Sequence, residues 1–241
     1  MLTMLQIYLK KLAIATLSPS MRSPSGITGW FARRLMRTAN PDSTRYAIQH
    51  RLELSASAVF VELGAGEGAG ITAICSGSTI PSTIHLVEIS ESMRNELTRV
   101  VLEDLPQTHG ASIEIHGEDC KQMPYLANNS VDTIFGMNVV YFLDPLPEYM
   151  QEIHRVLKPG GCIVWGCKFD KVPKDSEIFV NVEEEKIKSV MQAAGFRVTS
   201  AMIDVGGDAS GEATKTKESD ADNKEPGDFR NYIEVKGVKG E

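Results

Sequence analysis

The sequence predicts an α/β fold, a doubly wound and mostly parallel seven-stranded sheet of the Rossmann-like type. From Ala58 onward, short β-rich runs alternate with longer segments that have helical spacing, and this alternation favours parallel strands joined by crossover helices. A glycine-rich turn directly follows the first run. The last two runs have no helical pattern between them, which predicts a terminal antiparallel strand pair. An N-terminal helical extension is expected ahead of the sheet.

The individual elements follow from the hydrophobic pattern. Short apolar or β-branched runs predict strands over 58–64, 84–90, 111–119, 161–169, 197–205 and 231–238, and the run 130–143 contains a further strand, the fourth along the chain. Helical periodicity predicts helices over 91–105, 145–157 and 182–196. Ser90 is a candidate cap for the first of these helices, and Glu91 places an acidic side chain in its first turn.

Two regions divide the chain. Residues 1–57 are predicted to form an N-terminal helical extension or lid, with a break at Asn40-Pro41. Residues 58–241 are predicted to form the sheet domain. Within it, residues of about 206–228 are polar and charged with almost no large apolar side chain, so we expect a flexible acidic loop.

Composition limits the classes of function. The net charge of -7 argues against general nucleic-acid binding, because phosphate contacts need a positive surface. Residues 1–41 nevertheless carry six basic and no acidic side chains. We expect a cytoplasmic protein, with a mitochondrial presequence or an interfacial, membrane-associated helix as the alternatives for this segment. The four cysteines lack zinc-site and disulfide spacing, so no metal site is expected.

The strongest local motif is Glu-Leu-Gly-Ala-Gly-Glu-Gly (62–68), which lies at the end of the first strand. Glycines there permit a tight turn and close approach of the backbone to a ligand. Gly64, Gly66 and Ala69 also fit the dinucleotide-binding pattern G-x-G-x-x-G/A. The loop alone therefore leaves a nicotinamide-dependent oxidoreductase open.

Acidic residues follow the next two strands. Glu88 lies 24 positions after Gly64, where a strand-end carboxylate can accept hydrogen bonds from both hydroxyls of a ribose. Asp119 follows the third strand, where it could accept a hydrogen bond from an adenine amino group, and Cys120 offers a backbone N–H. Asn138 ends the fourth strand, and Leu-Lys-Pro-Gly-Gly (157–161) turns into the fifth.

In this order of motifs, from about Val59 to Gly166, the chain resembles the class I S-adenosylmethionine-dependent methyltransferase family. The resemblance implies that the glycine motif wraps the methionine portion of the cofactor, that Glu88 binds its ribose, that Asp119 contacts adenine and that Asn138 lies near the methyl group. The cofactor-binding residues it implies are Glu62, Gly64, Ala65, Gly66, Gly68, Glu88, Ile89, Met93, Asp119, Cys120 and Asn138.

The implied function is methyl transfer to a small-molecule acceptor by in-line displacement. Motifs typical of DNA or protein-arginine methylation are absent after the fourth strand, where the sequence reads Asn-Val-Val-Tyr (138–141). The catalytic residue is unknown, and Tyr141 is the candidate by position. His154 falls within a helical pattern and fits a packing role instead.

Two alternatives stay open at this point. A nicotinamide-dependent oxidoreductase explains the glycine loop and Glu88 but not Asp119, the 157–161 turn or the terminal strand pair. A non-catalytic scaffold that binds the cofactor would explain the lack of an obvious base. The acceptor itself is open; the apolar, basic N-terminal segment fits an amphiphilic molecule such as a lipid or quinone, and it fits equally a lid over a soluble substrate. The oligomeric state has no sequence indicator.

Overall fold

The computed structural model describes residues 41–205 and 230–240, apart from residues 106, 107, 109, 173 and 175. Most of the predicted N-terminal extension, and with it the targeting and membrane hypotheses, lies outside these residues. The predicted acidic loop lies outside them as well. No helix in the described part of the chain is long and apolar enough to cross a membrane.

Seven strands form one sheet. They are β1 (Val59–Leu63), β2 (Thr83–Val87), β3 (Ser112–His116), β4 (Val131–Met137), β5 (Leu157–Cys167), β6 (Phe196–Ile203) and β7 (Tyr232–Lys239). Their spatial order is β3-β2-β1-β4-β5-β7-β6. Strands β1 to β5 pair in parallel, whereas β7 runs antiparallel to both β5 and β6. The predicted sheet and its terminal antiparallel pair are thereby confirmed.

Helices connect the strands. They are α1 (Pro41–Tyr46), α2 (Ala69–Cys75), α3 (Glu91–Arg99), α4 (Leu146–Val156) and α5 (Glu184–Ala193). Two of them widen into π-helical turns at their carboxyl ends, α1 over Ala47–Arg51 and α3 over Val100–Asp104. A short 3-10 turn, Val140–Phe142, lies between β4 and α4.

Each face of the sheet has its own apolar core. Phe60 of β1 packs in one cluster with Ile71 of α2 and Leu97 of α3. Its neighbour Val61 packs in the other cluster, with Ile153 of α4. Successive side chains of a strand point to opposite faces, so a strand that is buried on both sides reads as a continuous apolar run. This explains why the first strand shows no polar alternation.

The predicted turn at 157–161 is part of a longer strand. β5 pairs with β4 at Leu157 and again from Cys162 onward, so residues 158–161 form a bulge opposite β4. Gly160 has a φ of +77°, a conformation that glycine adopts without steric cost. The glycines therefore interrupt the pairing of β5 with β4 locally. The sequence pattern predicted instead a turn that precedes the strand.

The strand order reverses its direction between β1 and β4. Strands β2 and β3 lie on one side of β1, while β4, β5, β7 and β6 continue on the other side. Ligands of open α/β sheets bind in the crevice at the carboxyl ends of the strands beside such a reversal. The candidate site is therefore expected where β1 and β4 end.

Candidate functional site

A cavity of about 750 Å³ lies at the carboxyl ends of β1, β2 and β4. Tyr141 lines this cavity. All of the predicted cofactor-binding residues line it as well, namely Glu62, Gly64, Ala65, Gly66, Gly68, Glu88, Ile89, Met93, Asp119, Cys120 and Asn138. His154 lies elsewhere, with its ring edge-on to Phe196 at 5.2 Å between centroids. The sequence motifs thus converge on one place in the fold.

The glycine loop leaves backbone exposed to the cavity. Gly64 and Gly68 have φ values of +68° and +95°, in the left-handed region that favours glycine. A Cβ on Gly64 would lie 2.9 Å from Cγ2 of Val139, too close for van der Waals contact. The Gly64 N–H donates to the Val87 carbonyl oxygen at 2.8 Å, so the loop starts as a continuation of the β1–β2 ladder. A side chain at Gly64 would therefore push the loop away from β4.

Glu88 immediately follows β2 and is almost fully buried. One carboxylate oxygen accepts a hydrogen bond from the Gly66 N–H at 2.9 Å, and the other accepts from the Ser90 N–H at 2.8 Å. Burial raises the pKa of Glu88, while these two backbone donors oppose the rise. Each oxygen keeps a further lone pair for a ligand hydroxyl. Glu88 therefore holds the glycine loop as well as facing the cavity.

Glu62 is a buried acid whose hydrogen-bonding capacity is not filled. It is 3% exposed, and its Oε2 has no hydrogen-bond partner among the described residues. Burial, followed by the negative charge of Glu88, raises the pKa of Glu62 to about 8. Gly70 of α2 makes room for this carboxylate, because a Cβ there would lie 2.1 Å from Glu62 Oε1. Such a group fits a ligand that brings a positive charge or a donor into the cavity.

Asp119 is oriented by a residue that the sequence did not indicate. Its Oδ2 accepts a hydrogen bond from the Tyr149 hydroxyl at 2.9 Å, and its Oδ1 accepts from the Lys121 N–H at 3.0 Å. β3 itself ends at His116, so Asp119 lies in the following loop. Burial raises the pKa of the Cys120 thiol to about 12, so that side chain stays protonated. Cys120 therefore offers the cavity its backbone and its bulk.

Asn138 and Tyr141 form a connected pair beyond β4. Asn138 has a φ of +57°, which is uncommon for a residue with a side chain and often occurs at functional sites. Its N–H donates to the Gly166 carbonyl oxygen at 2.7 Å, and its Oδ1 accepts from the Tyr141 hydroxyl at 3.2 Å. The Lys168 N–H donates to the same hydroxyl. Burial raises the pKa of Tyr141, so the phenol is protonated near neutral pH and serves as a donor to Asn138.

The apolar end of the cavity went unrecognised in the sequence. It is lined by Val139, Phe142, Leu143, Val172 and Phe179. Buried Asn181 holds the segment beside Phe179 in place, because its side-chain N–H groups donate to the Val140 and Leu143 carbonyl oxygens at 2.9 and 2.8 Å. The apolar run after β4 was a visible indicator of this region. The segment between β5 and α5 has no periodic pattern that would have indicated the rest.

Comparison with known proteins identifies the central part of the chain. Residues 61–165 match a family model described as "Methyltransferase domain". Dimethylglycine N-methyltransferase from Parasynechococcus marenigrum (strain WH8102) is 29% identical over 105 residues, which are 44% of this chain and 35% of the relative. The matched part of the chain therefore spans about a third of that protein.

Solved structures share the fold. A chain of the complex between the Haloferax volcanii Trm112 methyltransferase activator and its methyltransferase superposes with a TM-score of 0.64 at 16% identity, covering 88% of this chain and 95% of the other. Magnesium protoporphyrin IX methyltransferase from Synechocystis PCC 6803, solved with bound S-adenosylmethionine, gives a TM-score of 0.53 at 15% identity, covering 86% and 81%.

Proposed function

We propose that this protein transfers the methyl group of S-adenosylmethionine to a small molecule bound at the apolar end of the cavity, since residues 61–165 match a methyltransferase-domain family model. The observation that carries the proposal is the continuity of one cavity from the glycine loop and Glu88 to the apolar residues beyond Asn138. Cofactor and acceptor could therefore be held side by side.

Glu62 and the glycine loop would hold the methionine portion, Glu88 the ribose and Asp119 the adenine. The buried Oε2 of Glu62 supports this, because it has no hydrogen-bond partner among the described residues and the cofactor carries two positive groups. When bound, S-adenosylmethionine supplies a methyl group on a positively charged sulfur. The sulfur is a good leaving group for in-line displacement at the methyl carbon. The chain's remaining tasks are to align the acceptor and to exclude water.

The acceptor is proposed to arrive with its nucleophilic atom already unprotonated. No histidine in the described part of the chain lines the cavity, and burial keeps the Tyr141 phenol protonated. Each oxygen of Glu88 accepts from a backbone N–H group, and its remaining lone pair is assigned to the ribose of the cofactor. A carboxylate, or an amine that enters the cavity as the neutral base, fits this environment, since neither needs a dedicated base.

The acceptor is further proposed to be amphiphilic. Five apolar side chains line its end of the cavity, and the charged side chains of Lys168 and Lys171, the latter paired with Asp170 at 3.0 Å, border the same region. The match to an enzyme named for dimethylglycine is consistent with small acceptors but covers only a third of that protein. An apolar body with one charged group fits both features.

The test supplies methyl-labelled cofactor and a metabolite extract to the purified protein, and identifies labelled products by mass spectrometry. We expect at least one labelled amphiphile, and Val172→Glu should raise the KM for that acceptor while the Kd of the cofactor stays unchanged. Leu102→Glu is the matched control, because Leu102 is 78% exposed. Tight cofactor binding without turnover of any acceptor would instead identify a non-catalytic scaffold.

A further inference from the structure

Three side chains with metal-binding atoms converge near the edge of the sheet, outside the cofactor cavity. His85 of β2 is paired in register with Glu114 of β3, and His116 lies two residues further along β3, on the same face. We propose that His85 Nδ1, His116 Nε2 and one carboxylate oxygen of Glu114 bind a divalent transition-metal ion, for which Zn²⁺ fits best. The spacing of the cysteines predicts no metal site, and this pattern carries no information about two histidines and a glutamate on neighbouring strands.

The distances among the three atoms match the bond lengths of zinc. His85 Nδ1 and His116 Nε2 are 3.0 Å apart, and Glu114 Oε2 lies 3.6 Å from the first and 3.7 Å from the second. The circle through the corners of a triangle with these sides has a radius of about 2.0 Å, whereas Zn²⁺ bonds to imidazole nitrogen and carboxylate oxygen at about 2.0–2.2 Å. One ion can therefore lie within bonding distance of all three atoms.

A hydrogen bond between the two imidazoles explains the cluster only in part. It accounts for the 3.0 Å contact, but the carboxylate oxygen lies too far from both nitrogens for a hydrogen bond. A metal ion satisfies two neutral imidazoles and a carboxylate together.

The surroundings hold the rings in place and leave an entry path. The Tyr125 ring stacks on the His116 ring at 3.6 Å between centroids and 3° between planes. The side chains of His85 and His116 are 8% and 12% exposed, while that of Glu114 is 50% exposed. An ion could enter from the solvent side and keep water as a fourth ligand, as is common for zinc bound by three protein groups.

The site would connect two strands next to the cofactor cavity. The His116 carbonyl oxygen accepts a hydrogen bond from the Glu88 N–H at 3.0 Å. An ion that fastens β3 to β2 would therefore stabilise the strand end that carries Glu88. We expect zinc to raise the melting temperature, whether or not the cofactor is present.

The experiment measures Zn²⁺ binding to the full chain by competition with a chromophoric chelator. His116→Asn should weaken binding at least about 100-fold and Glu114→Gln at least about tenfold, since removal of a group that only hydrogen-bonds a metal ligand already costs about 10–100-fold. His154→Asn, a histidine on α4 outside the cluster, should bind one zinc per chain like the wild type. Co²⁺ in place of zinc should give visible absorption bands that His116→Asn lacks.

Circular dichroism and binding of S-adenosylhomocysteine confirm that each variant is folded, so loss of metal binding is not confused with loss of the cofactor site. If the wild type binds Zn²⁺ no more tightly than folded His116→Asn, or if Co²⁺ gives no such bands, the proposal is overturned. Neither outcome depends on methyl transfer, because the three ligands do not line the cavity.

Discussion

Glu88 connects the glycine loop, the start of α3 and the cavity through a single carboxylate. Replacement by alanine removes the acceptor of the Gly66 and Ser90 N–H groups as well as the acceptors for a ribose. We expect the affinity for S-adenosylhomocysteine to fall at least about tenfold, since charge-assisted hydrogen bonds are worth about 1.5–3 kcal/mol each. Stability should fall by about 1–3 kcal/mol, because buried N–H groups lose their partner.

The matched control is Glu91→Ala, in the exposed first turn of α3. It should leave binding unchanged and cost only about 0.3–1 kcal/mol through the helix dipole. Calorimetry measures the affinities and urea unfolding the stabilities. Equal affinities for the two variants would show that Glu88 does not contact the ligand.

Glu62 should make cofactor binding dependent on pH. Its pKa is about 8 in the cofactor-free protein, above its ordinary value of 4.5. Between pH 4.5 and 8 the folded protein therefore holds Glu62 protonated, whereas the unfolded chain has it ionised. Glu62 therefore contributes stability that is complete below pH 4.5 and is lost as the pH rises through about 8. A bound cation favours the ionised form, so binding should release a proton near pH 7 and strengthen toward pH 8.

Calorimetry in buffers with different ionisation enthalpies counts the protons released on binding. Glu62→Gln should release fewer protons than the wild type at pH 7 and show a flatter affinity profile. The glutamine keeps the size of the side chain, so a change in packing would not imitate the effect. Proton release that is unchanged in Glu62→Gln would assign the linkage to another group.

Sequence spacing located the cavity carboxylates because the carboxyl ends of parallel strands meet at one edge of a sheet. It could not supply the partners of those groups. The contact between Tyr149 and Asp119 joins residues 30 positions apart through a helix whose exact rotation no motif fixes. The positive φ of Asn138 could not be predicted from the sequence either, because tertiary contacts impose that conformation on a non-glycine residue.

Among the elements, α2 depends on the absence of a side chain at Gly70. Gly→Ala normally stabilises a helix by about 1 kcal/mol. Here a Cβ would lie 2.1 Å from Glu62 Oε1, so we expect Gly70→Ala to lower the stability and to weaken cofactor binding. Chemical unfolding of the single variants and of the double variant measures the interaction.

The control is the same substitution after the carboxylate has been removed. In a Glu62→Ala background the space is vacant, and Gly70→Ala should become neutral or stabilising. An equal cost of Gly70→Ala in both backgrounds would mean that the helix, and not the contact with Glu62, requires glycine.

The strands and helices were largely predictable, and the exceptions have physical causes. β5 was expected to start at residue 161, but it begins at Leu157 and resumes its pairing with β4 at Cys162, after a bulge. Pro and Gly usually indicate a turn, and a bulge uses the same residues within a ladder. The apolar end of the cavity depends on the segment before α5, which is fixed by Asn181 and not by periodicity.

At the scale of the whole molecule, the connection between β6 and β7 should be dispensable. The two strands pair without interruption from Phe196 with Lys239 to Ile203 with Tyr232, so only their ends need to be joined. Replacement of residues 206–228 by a turn of about four residues should raise stability by only about 1–2 kcal/mol, since it removes two to three doublings of loop length at about 0.6 kcal/mol each. A Gly/Ser loop of the original length is the control, and urea unfolding measures both. Unfolding of the shortened variant would reveal an ordered element in this region.

The central claim is that the cavity binds S-adenosylmethionine, and calorimetry of the full chain with that cofactor, S-adenosylhomocysteine and NAD tests it most directly. We predict binding of both sulfur compounds in the micromolar range that is usual for enzyme ligands, with no measurable binding of NAD. Glu88 and Asp119 line the same cavity, so each chain should bind one molecule of either sulfur compound. Binding of NAD together with no binding of either sulfur compound would contradict the account.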